Sequence, residues 1–380
     1  MRKCVFCGQR PEEKTKEHVV PRWLIEHTGA PEREAHFGPD LMTGEPRSFA
    51  FDNFVFPACH KCNEDFGKIE ESAREVILSL LGEKPLSAPS LTVLLGWLDK
   101  VRIGLWLAYL NLNKNPFGIE PSFYINRRVD MSDRLLMIYR ASTKRSCITF
   151  GGVGTPFFDH FPSCFTLRIN QFCFVNASNA FMIAKRLGLP FVVDKPVPYG
   201  EKEIAVNYAS GIGHTIRPII PVVYDKGCTE LYQPVLDLDV RTHESLSPLY
   251  DSEYVKQYLD SSSSIGKLFY LKNNKIIAYP VENSIDWLPH VSYPAPYVFY
   301  LAVKTTITIQ NYMQRLFEKT ECLEGLSSKE RRFRGMERRA IWGVNRRLLS
   351  DIDEAIKSMR ALDKLPSTSL KGHDENHTQG

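Results

Sequence analysis

The spacing of hydrophobic and polar positions predicts a different element in each stretch of this chain. "EHVVP" (17–21) and "NFVFP" (53–57) are short apolar runs with β-branched or aromatic residues, each stopped by a proline, and they read as strands. After Cys62 the segment "NEDFGKIEESAREVILSLLG" starts acidic and carries Ile69, Ala73, Val76, Ile77 and Leu80 at helical spacing. That pattern predicts an amphipathic helix ending near Gly82. A proline-containing linker, "EKPLSAPS" (83–90), leads into "LTVLLGWLDKVRIGLWLAYLNL" (91–112), which has about the length of a membrane span. Asp99, Lys100 and Arg102 lie near its middle, where each would be costly in hydrocarbon, so the segment reads as a long buried helix.

From about 120 to 300 the pattern changes to short β-rich runs: "LLMIYRA", "CITFGG", "FTLRI", "FCFVNA", "FVVD", "PIIPVVYD" and "KLFYLKNNKIIAYP". "KNNK" (272–275) is a hairpin turn signal. Helical pieces such as "NAFMIAKRLG" make this an α+β region. Residues 301–363 turn helical again, and "STSLKGHDENHTQG" reads as a disordered tail. The expected organisation is a small N-terminal unit (1–82), a linker with a buried helix (83–118), a larger α+β domain (119–300), a helical Arg-rich segment (301–365) and a tail (366–380). No internal repeat is apparent.

Composition is ordinary for a globular protein, with 43% hydrophobic residues, 24% charged residues and a net charge of +4. Such a charge does not announce a nucleic-acid binder, so any basic surface must come from local clustering. The start, "MRKCVFC", lacks the apolar run of a secretory signal, which predicts a reducing cytoplasm. The nine cysteines are then not expected to form disulfides. Four lie in "CVFC" (Cys4, Cys7) and "CHKC" (Cys59, Cys62), while Cys147, Cys164, Cys173, Cys228 and Cys322 are scattered singly, as buried small hydrophobes are.

Two CxxC pairs suit zinc, because each places two thiolates on one turn at about 2.3 Å from the ion. Gly8 supplies the permissive backbone of the first knuckle. The 51 residues between Cys7 and Cys59 exceed the spacing of a simple zinc ribbon, so a whole structural unit loops out between the half-sites. The competing readings are two unrelated pairs of buried cysteines and a redox role for CVFC alone. Four thiolates fill a tetrahedral site, which leaves Glu17-His18, Asn53 and Asn63 for other work.

With "CVFC", "EHVVPRWL" and "DNFVFPACHKCNEDFG" in this order, the first 80 or so residues resemble the HNH endonucleases, the ββα-metal nucleases. The resemblance implies a small zinc-stabilised, treble-clef-like ββα-metal domain followed by the larger α+β domain and C-terminal helices. It implies that His18 is the general base that takes a proton from water. Glu17 and Asn63 become ligands of a catalytic magnesium or manganese ion, and Asn53 the residue that pins the His18 loop. Glu stands where the family often has Asp, and Asn63 where many members have His. His27, His36 and Asp40 in the intervening insertion are alternative ligands. Asn53 could equally be a turn residue, Asn63 a helix N-cap, and His18 a packing histidine. His60 reads as solvent-facing, Trp23 as core, and Arg22 as a candidate phosphate contact.

"KERRFRGMERRAIWGVNRRLL" (329–349) is dense in arginine. On a helix Arg331, Arg334 and Arg338 share one face, suited to DNA or RNA phosphates, although Gly335 weakens the helix and acidic neighbours could neutralise the face instead. "FGGVGTP" (150–156) lacks the lysine of a phosphate loop and reads as a turn. His160, His214 and His290 have no convergent partners in sequence. The leading expectation is a metal-dependent endonuclease acting on DNA, with RNA as the alternative substrate. By analogy of architecture it resembles effectors of bacterial restriction or anti-phage systems, with a partner such as an ATPase or sensor and no membrane. The competing expectation is a non-catalytic zinc-stabilised module that binds nucleic acid or protein.

Overall fold

A computed structural model describes residues 3–11, 13–39, 46–51, 55–112, 115, 118–121, 123–183, 187, 191–193, 197–199, 203–205, 208–209, 227–235, 265–272, 275–280, 292–321 and 323–363. Asp40, Asn53, His214, His290, Cys322 and the expected tail lie outside the described residues.

The N-terminal strand β1 (Lys14–His18) pairs antiparallel with β4 (Val55–Cys59), His18 standing opposite Val55 and Lys14 opposite Cys59. β1 begins three residues earlier than "EHVVP" predicts and ends at His18. Val19 and Val20 instead leave the ladder and are buried, which is where their apolar side chains gain most. The insertion between the strands holds a short helix, α1 (Arg22–His27), and a two-stranded ladder of β2 (Glu34–Pro39) and β3 (Pro46–Ala50). Helix α2 (His60–Leu81) follows β4 directly and buries Ala73, Val76, Ile77 and Leu80, the spacing seen in the sequence.

Helix α3 (Ala88–Leu112) is the centre of the molecule and is buried from Leu94 to Leu110. No helix among the described residues is long and apolar enough to cross a membrane. One side of α3 packs on α2 and the N-terminal unit; the other lies on a sheet of mixed-length strands. That sheet runs β15-β14-β13-β5-β8-β7-β6, and β16 (Ser292–Tyr293) joins the end of β5. Its strands are β5 (Asp133–Ala141), β6 (Ile148–Gly151), β7 (Cys164–Ile169), β8 (Phe172–Asn179), β13 (Cys228–Gln233), β14 (Phe269–Lys272) and β15 (Lys275–Ala278). Four further short strands, β9 (Phe191–Val192), β10 (Val197–Tyr199), β11 (Glu203–Ala205) and β12 (Tyr208–Ala209), form two separate ladders.

Helix α4 (Pro156–His160) precedes β7, and α5 (Ala295–Thr320) and α6 (Ser328–Asp363) close the chain. β5 reads as a continuous apolar run because helices cover both sheet faces. Leu136 and Ile138 join the core on the α3 side, while Leu135, Met137 and Tyr139 join a second core with Val298 and Ala302 of α5. The glycine pair in "FGGVGTP" is a packing device. A Cβ at Gly151 would stand 2.4 Å from Val303, and one at Gly152, where φ is +75°, 2.4 Å from Thr306. Only glycine lets α5 approach the β6 end so closely.

Three adjacent charges on α3 divide between its two sides. Asp99 and Arg102 face the sheet: Arg102 and Arg134 both donate to Asp99 at 2.7 Å, and Arg102 also donates to Asn176 Oδ1. Asp130 and Gln233 complete the shell of Arg134. All of Asp99, Arg102 and Arg134 are fully buried. Removing the shared acid in Asp99→Ala leaves two buried guanidinium groups without their counter-ion. Urea unfolding should show a loss of about 3–5 kcal/mol; a loss below about 1 kcal/mol would mean the network is not holding α3 to the sheet.

Candidate metal centre and the His18 face

The two cysteine pairs are brought together by the β1–β4 ladder. Cys59 ends β4, Cys62 lies in the first turn of α2, and the N-terminal knuckle folds over them through Val5 N–H donating to Pro57 C=O at 3.0 Å. Within the knuckle, Gly8 N–H donates to Cys4 C=O at 2.9 Å. Gly8 has φ +76°, and a Cβ there would stand 2.5 Å from the Tyr124 ring, so the turn needs glycine as the sequence implied.

The four sulfurs of Cys4, Cys7, Cys59 and Cys62 lie within 4.8 Å of one another. Cys7 Sγ and Cys59 Sγ are 3.8 Å apart. A tetrahedral zinc site with bonds of about 2.3 Å has sulfur–sulfur edges of about 3.8 Å, so the set has the size zinc requires. Cys59 N–H donates to Cys4 Sγ at 3.3 Å, a bond that supports a thiolate. Burial raises Cys4 most, but amide donors from Cys7, Cys59 and Phe6 bring it below its usual value. Burial together with the neighbouring sulfurs pushes Cys59 up to about 11 and Cys62 to about 12. Thiolates packed this closely need a cation between them, and a zinc ion would supply that charge.

The Glu17-His18 pair does not converge as the resemblance implies. The two residues are successive in a regular ladder, so their side chains leave opposite faces of β1. Glu17, only 4% exposed, turns toward α2 and α3, where Lys100 donates to it and also to Glu70. Burial pushes Glu17 up to about 7, with Lys100 pulling it down and Glu70 pushing it further up. The two carboxylates hold Lys100 above its usual value even though burial, the largest influence, opposes them. The ammonium group thus takes the place between carboxylates that a divalent cation would occupy. Asn63 donates to Thr15 Oγ1 at 3.2 Å on the same side, rather than capping α2. As arranged, Glu17 and Asn63 do not present an open magnesium or manganese site. Sequence reasoning missed Lys100 because it lies 83 residues from Glu17 within an apolar run.

His18 faces the other way. It lines a cavity of about 180 Å³ with Arg22, Ile25 and Pro31. Arg22 is largely exposed and donates to Glu26 at 2.9 Å. Trp23 is half-buried beneath the Arg74 guanidinium, 5.8 Å from the ring centre, and His60 is exposed. His27 closes the last turn of α1, and His36 falls in β2.

At the other end of the chain, the expected arginine face is engaged by partners within the chain, although Arg331 and Arg334 remain exposed. Arg334 pairs with Glu337 at 3.0 Å and with Glu321, Arg338 pairs with Glu321, and Arg331 donates to Leu326 C=O at 3.0 Å. Gly335 does not interrupt α6. His160, expected to lack partners, meets Glu337 at 2.6 Å across α4 and α6.

No protein-family model, no curated protein and no solved structure matches this chain. Its chemistry therefore rests on its own residues, and two outcomes test the site. Purified protein should contain one zinc per chain by metal analysis, and Cys62→Ser should lose both the zinc and the fold of the N-terminal unit, a cost on the order of 10 kcal/mol. Full zinc retention in Cys62→Ser would exclude the four-thiolate site. The second outcome concerns pH. Folded Glu17 keeps its proton to about pH 7, whereas an unfolded glutamate titrates near 4.3, so its contribution to stability is complete below about 4 and lost as the pH rises through 7. Lys100→Met removes the opposing charge and raises the folded value further. The variant should lose about 3–5 kcal/mol near pH 8 and clearly less near pH 5; equal losses would show that Lys100 contributes only packing.

Proposed function

We propose that this chain is an endonuclease of the HNH type, with zinc holding the scaffold and His18 acting as general base. The observation that carries this reading is the position of His18. It ends β1, in the ladder whose partner strand runs into the cysteine-bearing start of α2, and it opens on a cavity shared with Arg22. A strand pair followed by a helix, clamped by a four-cysteine cluster, agrees with the ββα arrangement that the sequence motifs imply. In that cavity His18 would take the proton of a water molecule as its oxygen attacks the phosphorus of a phosphodiester. The P–O bond to the leaving oxygen then breaks, and the departing alkoxide is protonated by solvent. Arg22 would contact the non-bridging oxygens, whose charge grows as the bond to water forms. Near its usual pKa of about 6.5, a histidine is neutral enough for this at physiological pH.

The divalent cation that the resemblance assigns to Glu17 and Asn63 fits less well, because Lys100 and Glu70 already hold Glu17. That same observation favours a second reading, a zinc-stabilised binding module with no catalytic metal. Cleavage of supercoiled plasmid, with magnesium or manganese added, separates the two. On the nuclease reading the wild-type protein nicks the plasmid and His18→Ala loses at least about 100-fold in rate. Absence of nicking by zinc-loaded wild-type protein, with or without either cation, would sink the nuclease reading in favour of the module.

A further inference from the structure

Helix α6 has two contrasting sides. Ile341, Asn345, Ile352 and Ile356 are buried and mark the side packed on the rest of the chain. Arg334 and Arg338 lie on this side and are taken up by Glu321 and Glu337. At 3.6 residues per turn, the opposite side of the first five turns carries Lys329, Arg332, Arg339, Arg346 and Arg347. All five are exposed, and among the described residues none of them enters an ion pair. No acidic residue shares this side until Asp351; Glu330 is turned to the Ser327 cap and Glu337 to His160 and Arg334. Between the cations stand Phe333 and Met336, 64% and 55% exposed.

We propose that this outward face, from Lys329 to Arg347, binds the phosphate backbone of a nucleic-acid duplex, which on the nuclease reading above would be its substrate. Charge complementarity carries the assignment. The face is a straight rod of about 27 Å with cations and no anions, and duplex DNA is a rod with one negative charge per about 1.7 Å. The same positive charges would also attract an anionic bilayer. A helix lying in a membrane surface, however, needs an unbroken apolar side with its cations at the rim. Here Lys329 and Arg347 project between Ala340 and Met336, so the cations interrupt the apolar positions. Guanidinium groups fit phosphate oxygens in pairs, and exposed Phe333 offers a flat apolar surface to the backbone sugars.

The test is binding rather than cutting. Full-length His18→Ala protein without added divalent cation is titrated into a fluorescein-labelled duplex, followed by anisotropy across a series of potassium chloride concentrations. Replacing Arg332, Arg339 and Arg346 together by glutamine should weaken binding at least tenfold at low salt. It should also reduce the slope of log affinity against log salt by about 0.9 for each phosphate that is no longer neutralised. Arg334→Gln with Arg338→Gln, which removes cations already neutralised within the chain, should leave the slope unchanged; circular dichroism checks that each variant is folded. An unchanged slope in the triple variant, an equal loss in the double variant, or binding to phosphatidylserine vesicles but not to duplex would each overturn the assignment. Because cleavage is not read, failure here leaves the His18 reading standing, and failure of plasmid nicking leaves this face standing.

Discussion

The charges buried in α3 are the constraint on which the rest of the structure depends. A helix apolar on all sides is ordinarily held by packing alone, and packing is tolerant of small rotations. Asp99, Lys100 and Arg102 remove that tolerance, because each must meet an opposite charge once water is excluded. Asp99 and Arg102 lock one side of α3 to Arg134 and Asn176 in the sheet, and Lys100 locks the other to Glu17 and Glu70. Rotation of α3 by a single residue would strand charges on both sides. The helix therefore fixes the register between the N-terminal unit and the sheet, and one continuous core runs from Cys4 and Phe6 through α3 to Phe165 and Phe174.

This arrangement bears directly on the chemistry of the N-terminal unit. In a strand pair joined to a helix by a cysteine cluster, the two residues ending β1 look to opposite sides. The cysteine cluster and Gly8 shape the knuckle, and the ladder then delivers His18 to the cavity side and Glu17 to the core side. Lys100 exploits the second placement. A carboxylate pair withdrawn from water needs a cation, and Lys100 from a distant helix supplies one and ties the unit to the core. The architectural use of Glu17 takes up Oε1, which the Lys100 ammonium holds.

The same division of surfaces recurs at α6. Its inner side balances Arg334 and Arg338 with Glu321 and Glu337, and its outer side leaves the remaining cations to solvent. A net charge of +4 gives no hint of this, since the imbalance is one of direction rather than of amount.

Much of the framework was written in the sequence because its signals are local. CxxC spacing, the helical period after Cys62 and the charged interruption in 91–112 each depend on neighbours a few residues apart, and the four cysteines, α2 and α3 lie where they imply, whereas β4 runs through Pro57 instead of stopping there. Lys272 and Lys275, the two ends of the hairpin signal, likewise stand opposite each other in the β14–β15 ladder. What only the tertiary structure decided is which side each polar group faces and what it meets there. Lys100 finds Glu17 across 83 residues, His160 finds Glu337 across 177, and two arginines of the face chosen by helical spacing pair with Glu321 and Glu337. Such pairings arise from burial, which makes an unpartnered charge costly enough to select its partner from anywhere in the chain; periodicity can place a residue on a face but not name what lies opposite.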